Sequence, residues 1–298
     1  MSLCILVPTY DRYLPLASFT VEMIGRYWEG HPPVFFCGCR KQASRQSLPL
    51  RDDPRDWIGI LRSAADDLVK AGHDKAYVII DDCPPLAPCN GRHLNATLPR
   101  LMDRLSACNI SLTGWDQRGG KGSILGKEFY RVQRHPESFL WRFSAGPSLW
   151  NLAALRDLLD VLVPTDDPMS RSAWAFERRL GGGKVTIPQK WRDGSYRICG
   201  RELLGGLGRV RDLARRLRRR VHAVVRLCAR AVAGTKRGEG CDRSMSVESA
   251  FYDGPYPSYW SGIMAAGALN EDLVTFLKRR GDVEYLGRLR SAVSQIPP

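Results

Sequence analysis

Apolar and polar residues fall along the first third of the chain in blocks that suit strands and helices by turns. Leu3-Cys4-Ile5-Leu6-Val7 is a short apolar run closed by Pro8, which predicts a buried strand over 3–8. Leu16, Phe19, Met23, Ile24 and Tyr27 follow at helical spacing and predict a helix over 14–28. A second strand is expected over 33–39. A second helix is expected over 56–71, with Trp57, Ile60, Leu61, Ala64 and Leu68 on one side. Residues 76–80 are apolar throughout, as suits a central strand of a parallel sheet. Another helix over 94–107 and a strand over 108–115 continue the alternation, which predicts an α/β domain with a mainly parallel, Rossmann-like sheet flanked by helices.

The pattern is less regular beyond residue 115. Gly119-Gly120-Lys121-Gly122 and Gly181-Gly182-Gly183-Lys184 predict loops. Leu149, Leu152, Leu155, Leu158, Leu159 and Leu162 predict a helix over 149–162, and 185–187 suits an edge strand before Pro188. Residues 209–233 read as one basic amphipathic helix, with Val210, Leu213, Leu217, Val221, Val224, Cys228 and Val232 as its stripe. The tail carries Phe251, Tyr252, Tyr256, Tyr259 and Trp260, then helices near 268–280 and 282–294. This aromatic loop reads equally as a sugar-binding wall or as cover for a core edge. No internal repeat is visible. The expected organisation is one α/β domain over 1–200 and a helical extension over 201–298.

Composition adds three constraints. At 298 residues and 44% apolar content the chain can bury a substantial core. It has no run of about 18 apolar residues and no basic segment before the first strand, so neither a transmembrane helix nor a signal peptide is expected. Nine cysteines lie without a C-x-x-C pair, which speaks against a zinc site or a disulfide framework and for reduced thiols in a cytoplasmic protein. The net charge of +14 points to an anionic partner. Arg211, Arg215, Arg218, Arg219 and Arg226 of the 209–233 helix carry much of that charge. Three readings of the helix are open: a solvated face packed on the domain, a helix on an anionic membrane surface, or a grip on nucleic acid. No nucleic-acid recognition motif accompanies it, so nucleic acid is the least favoured.

The chemistry concentrates where the third apolar run stops. Tyr77-Val78-Ile79-Ile80 is followed by Asp81 and Asp82, then by Pro84 and Pro85, which end the strand. Two adjacent carboxylates raise the cost of ionising each other, and a divalent cation shared with phosphate oxygens relieves it. A solvated pair capping a turn is the plainer reading.

Several segments resemble the GT-A-fold, family-2-like nucleotide-sugar glycosyltransferases of bacteria. Ile5-Leu6-Val7-Pro8-Thr9-Tyr10-Asp11-Arg12 is similar to the first strand and turn of that fold. Asp56-Trp57-Ile58-Gly59-Ile60-Leu61-Arg62-Ser63-Ala64 followed by Tyr77–Asp82 resembles its helix and acidic strand end. Pro147–Leu159 and Ser172-Ala173-Trp174-Ala175-Phe176-Glu177 resemble segments beside the acceptor side of the cleft. The resemblance spans roughly residues 3–180 and implies a GT-A-like sheet. It implies transfer from a nucleoside diphosphate sugar to a glycan or lipid-linked acceptor in cell-surface polysaccharide synthesis. It implies that Pro8, Thr9, Tyr10, Asp11 and Arg12 line the nucleotide pocket, and that Asp81 and Asp82 meet the diphosphate with Mg²⁺ or Mn²⁺. The usual metal motif is Asp-x-Asp; this chain reads Asp81-Asp82-Cys83, which also permits an inactive glycosyltransferase-like scaffold.

Glu177 is the candidate general base, since Trp174 and Phe176 beside it would raise its pKa. The competing reading is a surface glutamate paired with Arg178 or Arg179. Trp174 reads as core or as a sugar platform, and Asp166 and Asp167 are rival bases that suit a turn better. Lys121 in its glycine loop suits either the diphosphate or a plain surface turn. A lipid-linked acceptor would place the protein on the inner face of the cell membrane, held through 209–233.

Overall fold

The computed structural model describes residues 2–40, 47–51, 53–112, 130–135, 142–162, 165, 168–182, 185–201, 251–252, 254–259, 262–265 and 267–297. Five elements follow the first apolar blocks: β1 (Leu3–Pro8), α1 (Leu14–Tyr27), β2 (Val34–Cys37), α2 (Trp57–Lys70) and β3 (Lys75–Val78). A π-helical turn at His93–Thr97 leads into α3 (Leu98–Arg104) and β4 (Asn109–Ser111). Next come β5 (Tyr130–Arg134), β6 (Ser148–Asn151), α4 (Leu152–Asp160), α5 (Ala173–Gly181), the short α6 (Gln189–Arg192) and β7 (Ser195–Arg201). The C-terminal segment holds two small hairpins, β8 (Phe251–Tyr252) with β9 (Ser258–Tyr259) and β10 (Met264–Ala265) with β11 (Ala268–Leu269). Helices α7 (Glu271–Arg280) and α8 (Val283–Ser294) close it.

The main sheet has the order β2-β1-β3-β6-β4-β7-β5. β1 pairs in parallel with β2 on one side and β3 on the other, with Ile5 opposite both Val34 and Tyr77. β6 lies antiparallel between β3 and β4, and β5 lies antiparallel on β7. The other strands share one direction, so the sheet is mainly parallel and flanked by helices, as expected.

Both faces of the sheet are apolar, which is why the first and third strands read as unbroken runs. Cys4, Leu6, Ala76 and Val78 face α2, α4 and α5, whereas Ile5, Val7, Tyr77 and Ile79 face α1 and α3. A third core joins the outer side of α1 to the C-terminal segment: Leu16, Phe19 and Met23 pack with Tyr259, Ile263, Leu273, Leu277, Tyr285 and Leu289. Asn270 starts α7 by accepting from the Asp272 and Leu273 N–H groups. Gly281 ends it in the left-handed region, at φ 77°.

Two expectations change, and two strands appear where the sequence predicts none. The 149–162 helix begins only at Leu152, because Ser148–Asn151 is strand β6 and Asn151 caps the helix through the Ala154 N–H at 3.1 Å. Residues 185–187 form no strand and lead into α6. Strands β5 and β7 fall where the apolar pattern predicts no element: each is short and arginine-rich, and β7 carries Gly200 inside it, which weakens a strand signal. The readings on Gly119–Ser123 with Lys121, on Gly183-Lys184, on Asp166 and Asp167, on Trp260 and on helix 209–233 concern positions outside the described residues. Among the described residues no helix is long and apolar enough to cross a membrane.

Candidate active site at the carboxyl ends of β1 and β3

From β1 the chain runs through α1 to β2 on one side, and β3 lies on the other side of β1. This reversal of strand order is the crevice in which open α/β sheets bind ligands, at the carboxyl ends of the strands. Thr9 follows β1 directly, and Asp81 and Asp82 lie on the turn three residues beyond β3. The two ends are tied together: Thr9 Oγ1 donates to Asp81 Oδ2 at 2.6 Å, and the Thr9 N–H donates to the Cys37 carbonyl at 2.9 Å. Thr20 Oγ1, from α1, donates to the Asp81 carbonyl at 2.5 Å. Gly38 makes the close approach possible. It sits at φ 94°, and a Cβ there would overlap the Thr9 carbonyl oxygen.

The acid pair is half-buried, and among the described residues no positive charge is seen lowering either pKa. Burial pushes Asp81 up to about 7, with the Asp82 charge adding and hydrogen bonds from Thr9 and the local backbone opposing. Burial pushes Asp82 up to about 6 against a hydrogen bond from Cys83. Cys83 stands at the second position of the usual motif, but burial raises its thiol well above the ordinary range, with the Asp82, Asp81 and Glu177 charges adding. It is therefore a neutral donor, with Sγ 3.5 Å from Asp82 Oδ1. Among the described residues no group of three or more His, Cys, Asp or Glu could hold a metal ion. Two carboxylates that bind protons this readily do fit a cation whose other ligands are phosphate oxygens and water.

Tyr10 and Asp11 lie on the same rim. Tyr10 is 41% exposed and meets the Tyr13 ring edge-on at 4.8 Å. With Asp11, Arg40, Asp53, Pro54 and Arg55 it lines a cavity of about 330 Å³. Asp11 Oδ1 accepts from the Arg40 N–H at 3.0 Å, which fixes the loop after β2 against the loop after β1. Asp81 adjoins this cavity through Tyr10, whose hydroxyl it helps to raise to about 12 after burial and the Tyr13 hydrogen bond. Asp81, Asp82 and Glu177 do not line the cavity themselves. Pro8 is buried in the sheet opposite Cys37. Arg12 turns away, and its Nε donates to the Pro297 carbonyl at 3.0 Å. Asp11 also borders a larger cavity, about 590 Å³, between α1 and α8.

Glu177 sits on α5, which Ser172 starts by accepting from the Ala175 N–H at 3.2 Å. Phe176, 1% exposed, anchors the helix edge-on against Trp57 and Trp150. Glu177 is half-buried rather than a surface partner of Arg178 or Arg179. Its Oε1 accepts from the Ala145 N–H at 2.6 Å and from Ser144 Oγ at 3.0 Å. Burial raises its pKa and those two bonds oppose the rise. Its charge is felt at Cys83, so it lies on the acid-pair side of the molecule. Trp174, one helical turn earlier, is 61% exposed and is not core. The aromatic tail loop covers a core edge instead: Tyr252, Tyr256 and Tyr259 are all buried.

Gly38, Arg40 and Arg55 escape the sequence reading, as does the approach of Tyr256 and Gly262 to the acid loop. A glycine directly after the second apolar run was the one local signal, at Gly38. Tyr256 and Gly262 reach the acid loop from far along the chain and leave no local trace.

No family model matches this chain, and no curated protein matches it. Among solved structures, the crystal structure of S. aureus TarS aligns with a TM-score of 0.36 at 14% identity, over 66% of this chain and 36% of that one. The crystal structure of S. aureus TarS 1-349 aligns with a TM-score of 0.34 at 13% identity, over 66% and 60%. The chain thus matches less than two thirds of the length of either. Alignments this loose carry no argument about its chemistry.

Proposed function

We propose that the chain is a GT-A-like glycosyltransferase that moves a sugar from a nucleoside diphosphate sugar onto a glycan acceptor. The observation that carries this reading is the Thr9–Asp81 hydrogen bond at the β1/β3 crevice. It sets a proton-avid acid pair beside a cavity lined by Tyr10, Asp11, Arg40 and Arg55. Tyr10 offers a face for a base, and Asp11 and Asp53 can accept from base or ribose donors. Arg40 and Arg55 supply positive charge for the anionic part of the nucleotide. Asp81 and Asp82 would hold Mg²⁺ or Mn²⁺, which supplies charge neutralisation at the departing diphosphate.

Glu177 accepts the proton of the attacking hydroxyl through Oε2, while Oε1 is held by Ser144 and the Ala145 N–H. Burial raises its pKa, the direction that favours a general base. Trp174, exposed on the same helix three residues earlier, offers an indole face to the acceptor sugar. A lipid-linked acceptor in cell-surface polysaccharide synthesis extends this reading and rests on the basic segment 209–233.

The test is a panel of nucleotide sugars offered to the purified protein with and without Mn²⁺. One donor is expected to bind and to turn over with metal, and Asp81→Ala with Asp82→Ala should abolish both. No donor binding, or a double variant indistinguishable from wild type, overturns the reading.

A further inference from the structure

The acid loop is held largely through its backbone, and most of the groups that hold it come from the C-terminal segment. The Ile263 N–H donates to the Asp82 carbonyl at 2.9 Å. Tyr256, fully buried, donates its hydroxyl to the Cys83 carbonyl at 2.8 Å. Tyr285 reaches the Pro85 carbonyl at 3.3 Å, and the Leu86 N–H donates to the Pro257 carbonyl at 2.8 Å. The Asp82 side chain is enclosed as well. Its Oδ1 takes the Cys83 thiol, and its Oδ2 lies over Gly262, where a Cβ would fall well inside van der Waals contact with Oδ2 and only 3.0 Å from Cγ. Gly262 itself stands at φ 74°, and its N–H donates to the Tyr259 carbonyl at 3.0 Å. Asn270 Nδ2 donates to the Gly262 carbonyl at 3.2 Å.

We propose that the acid-pair site is composite. Gly262 and Tyr256 are positioning residues that hold Asp82 and its loop where the pair meets a divalent cation and a diphosphate, so the site is complete only with the C-terminal segment docked. This rests on the function proposed above for its ligand, but not for its geometry. The physical ground is that Asp82 has one oxygen tied to a thiol and the other where a Cβ at 262 would fall. A methyl group at 262 must push the carboxylate out of its rotamer or push the 262 backbone away from it.

The test uses the full chain and a double-mutant cycle of Gly262→Ala with Asp82→Ala. Gly267→Ala serves as the control. Gly267 has a similar φ of 82°, but a Cβ there meets no described atom within 4 Å, so the control carries the backbone cost without the carboxylate. Thermal unfolding should show Gly262→Ala losing about 4 °C more than Gly267→Ala, and most of that excess should vanish in the Asp82→Ala background. Mn²⁺ with a uridine or guanosine diphosphate, followed by electron paramagnetic resonance of the bound ion, should bind about tenfold more weakly to Gly262→Ala and within about twofold of wild type to Gly267→Ala.

Should Gly262→Ala fail to fold, Tyr256→Phe keeps the buried ring and removes only the hydroxyl on Cys83. It should weaken the same binding about threefold or more. A cost of Gly262→Ala that is equal with and without Asp82, or undiminished Mn²⁺–nucleotide binding by Tyr256→Phe, overturns the positioning role. A wild-type protein that binds no Mn²⁺–nucleotide overturns the functional reading and the ligand assigned here, while the cycle still decides the contact.

Discussion

Asp81 and Asp82 sit at folded pKa values well above those of free aspartate, and the sign of the consequence follows directly. A carboxyl whose pKa rises on folding favours the folded state most when it is protonated, near pH 4 and below. That contribution is lost as pH rises through about 6 to 7. Metal-free Asp81→Asn is therefore expected to gain stability over wild type above pH 7, by roughly 2 kcal/mol, and to show no gain near pH 4. Mn²⁺ with a nucleoside diphosphate should reverse the order at neutral pH. Unfolding midpoints across pH 4–8 for both proteins check this. Trp174 makes a second case. At 61% exposure its replacement by Ala should change stability by less than about 0.5 kcal/mol, yet raise the KM for the acceptor about tenfold with the donor KM unchanged. Equal effects on both substrates would remove it from the acceptor side. At this scale the sequence exposed the acids, because an apolar run that stops at two carboxylates is a local pattern. It hid the roles of Gly38, Tyr256 and Gly262, which depend on what approaches them from elsewhere in the chain.

Helix α5 shows how an element delivers a side chain. Phe176 is seated between Trp57 of α2 and Trp150 of β6, and that seat sets the angle at which Glu177 reaches Ser144 and Ala145. Phe176→Leu is expected to cost roughly 1–1.5 kcal/mol of stability. It should lower kcat several-fold with nucleotide binding little changed, measured by steady-state rates beside nucleotide titration. Legibility differs among the elements for physical reasons. β1 and β3 lie inside the sheet with both faces buried, and α2 carries one apolar side, so their patterns are unmixed. β6 merges into the pattern of the following helix because Leu149 and Leu152 lie three apart. The switch from strand to helix at Asn151 depends on a cap rather than on hydrophobicity. β7 alternates Arg197 with Ile198 as a strand can, but it is only seven residues long and holds Gly200, so its period-2 signal is weak.

Across the whole molecule, the C-terminal segment and the α/β sheet share a core through α1, where Leu16, Phe19 and Met23 contribute to it. Met23 and Leu273 are both fully buried in that core. Leu273→Ala is expected to cost about 2–5 kcal/mol and to loosen the acid loop along with α7. Hydrogen exchange should then rise together at 82–86 and 256–263. A rise confined to the tail would separate the two regions. The placement of β6 bears on a different moment in the life of the protein. β3 and β4 are complete long before Ser148–Asn151 has been synthesised, yet it is β6 that must slide in between them. During translation, at about 5–20 residues per second, each therefore presents a bare row of amides and carbonyls to solvent for seconds. A ribosome stalled just before Ser148 would hold a nascent chain with one edge of β3 and both edges of β4 unpaired, an apt client for a chaperone and a seed for aggregation.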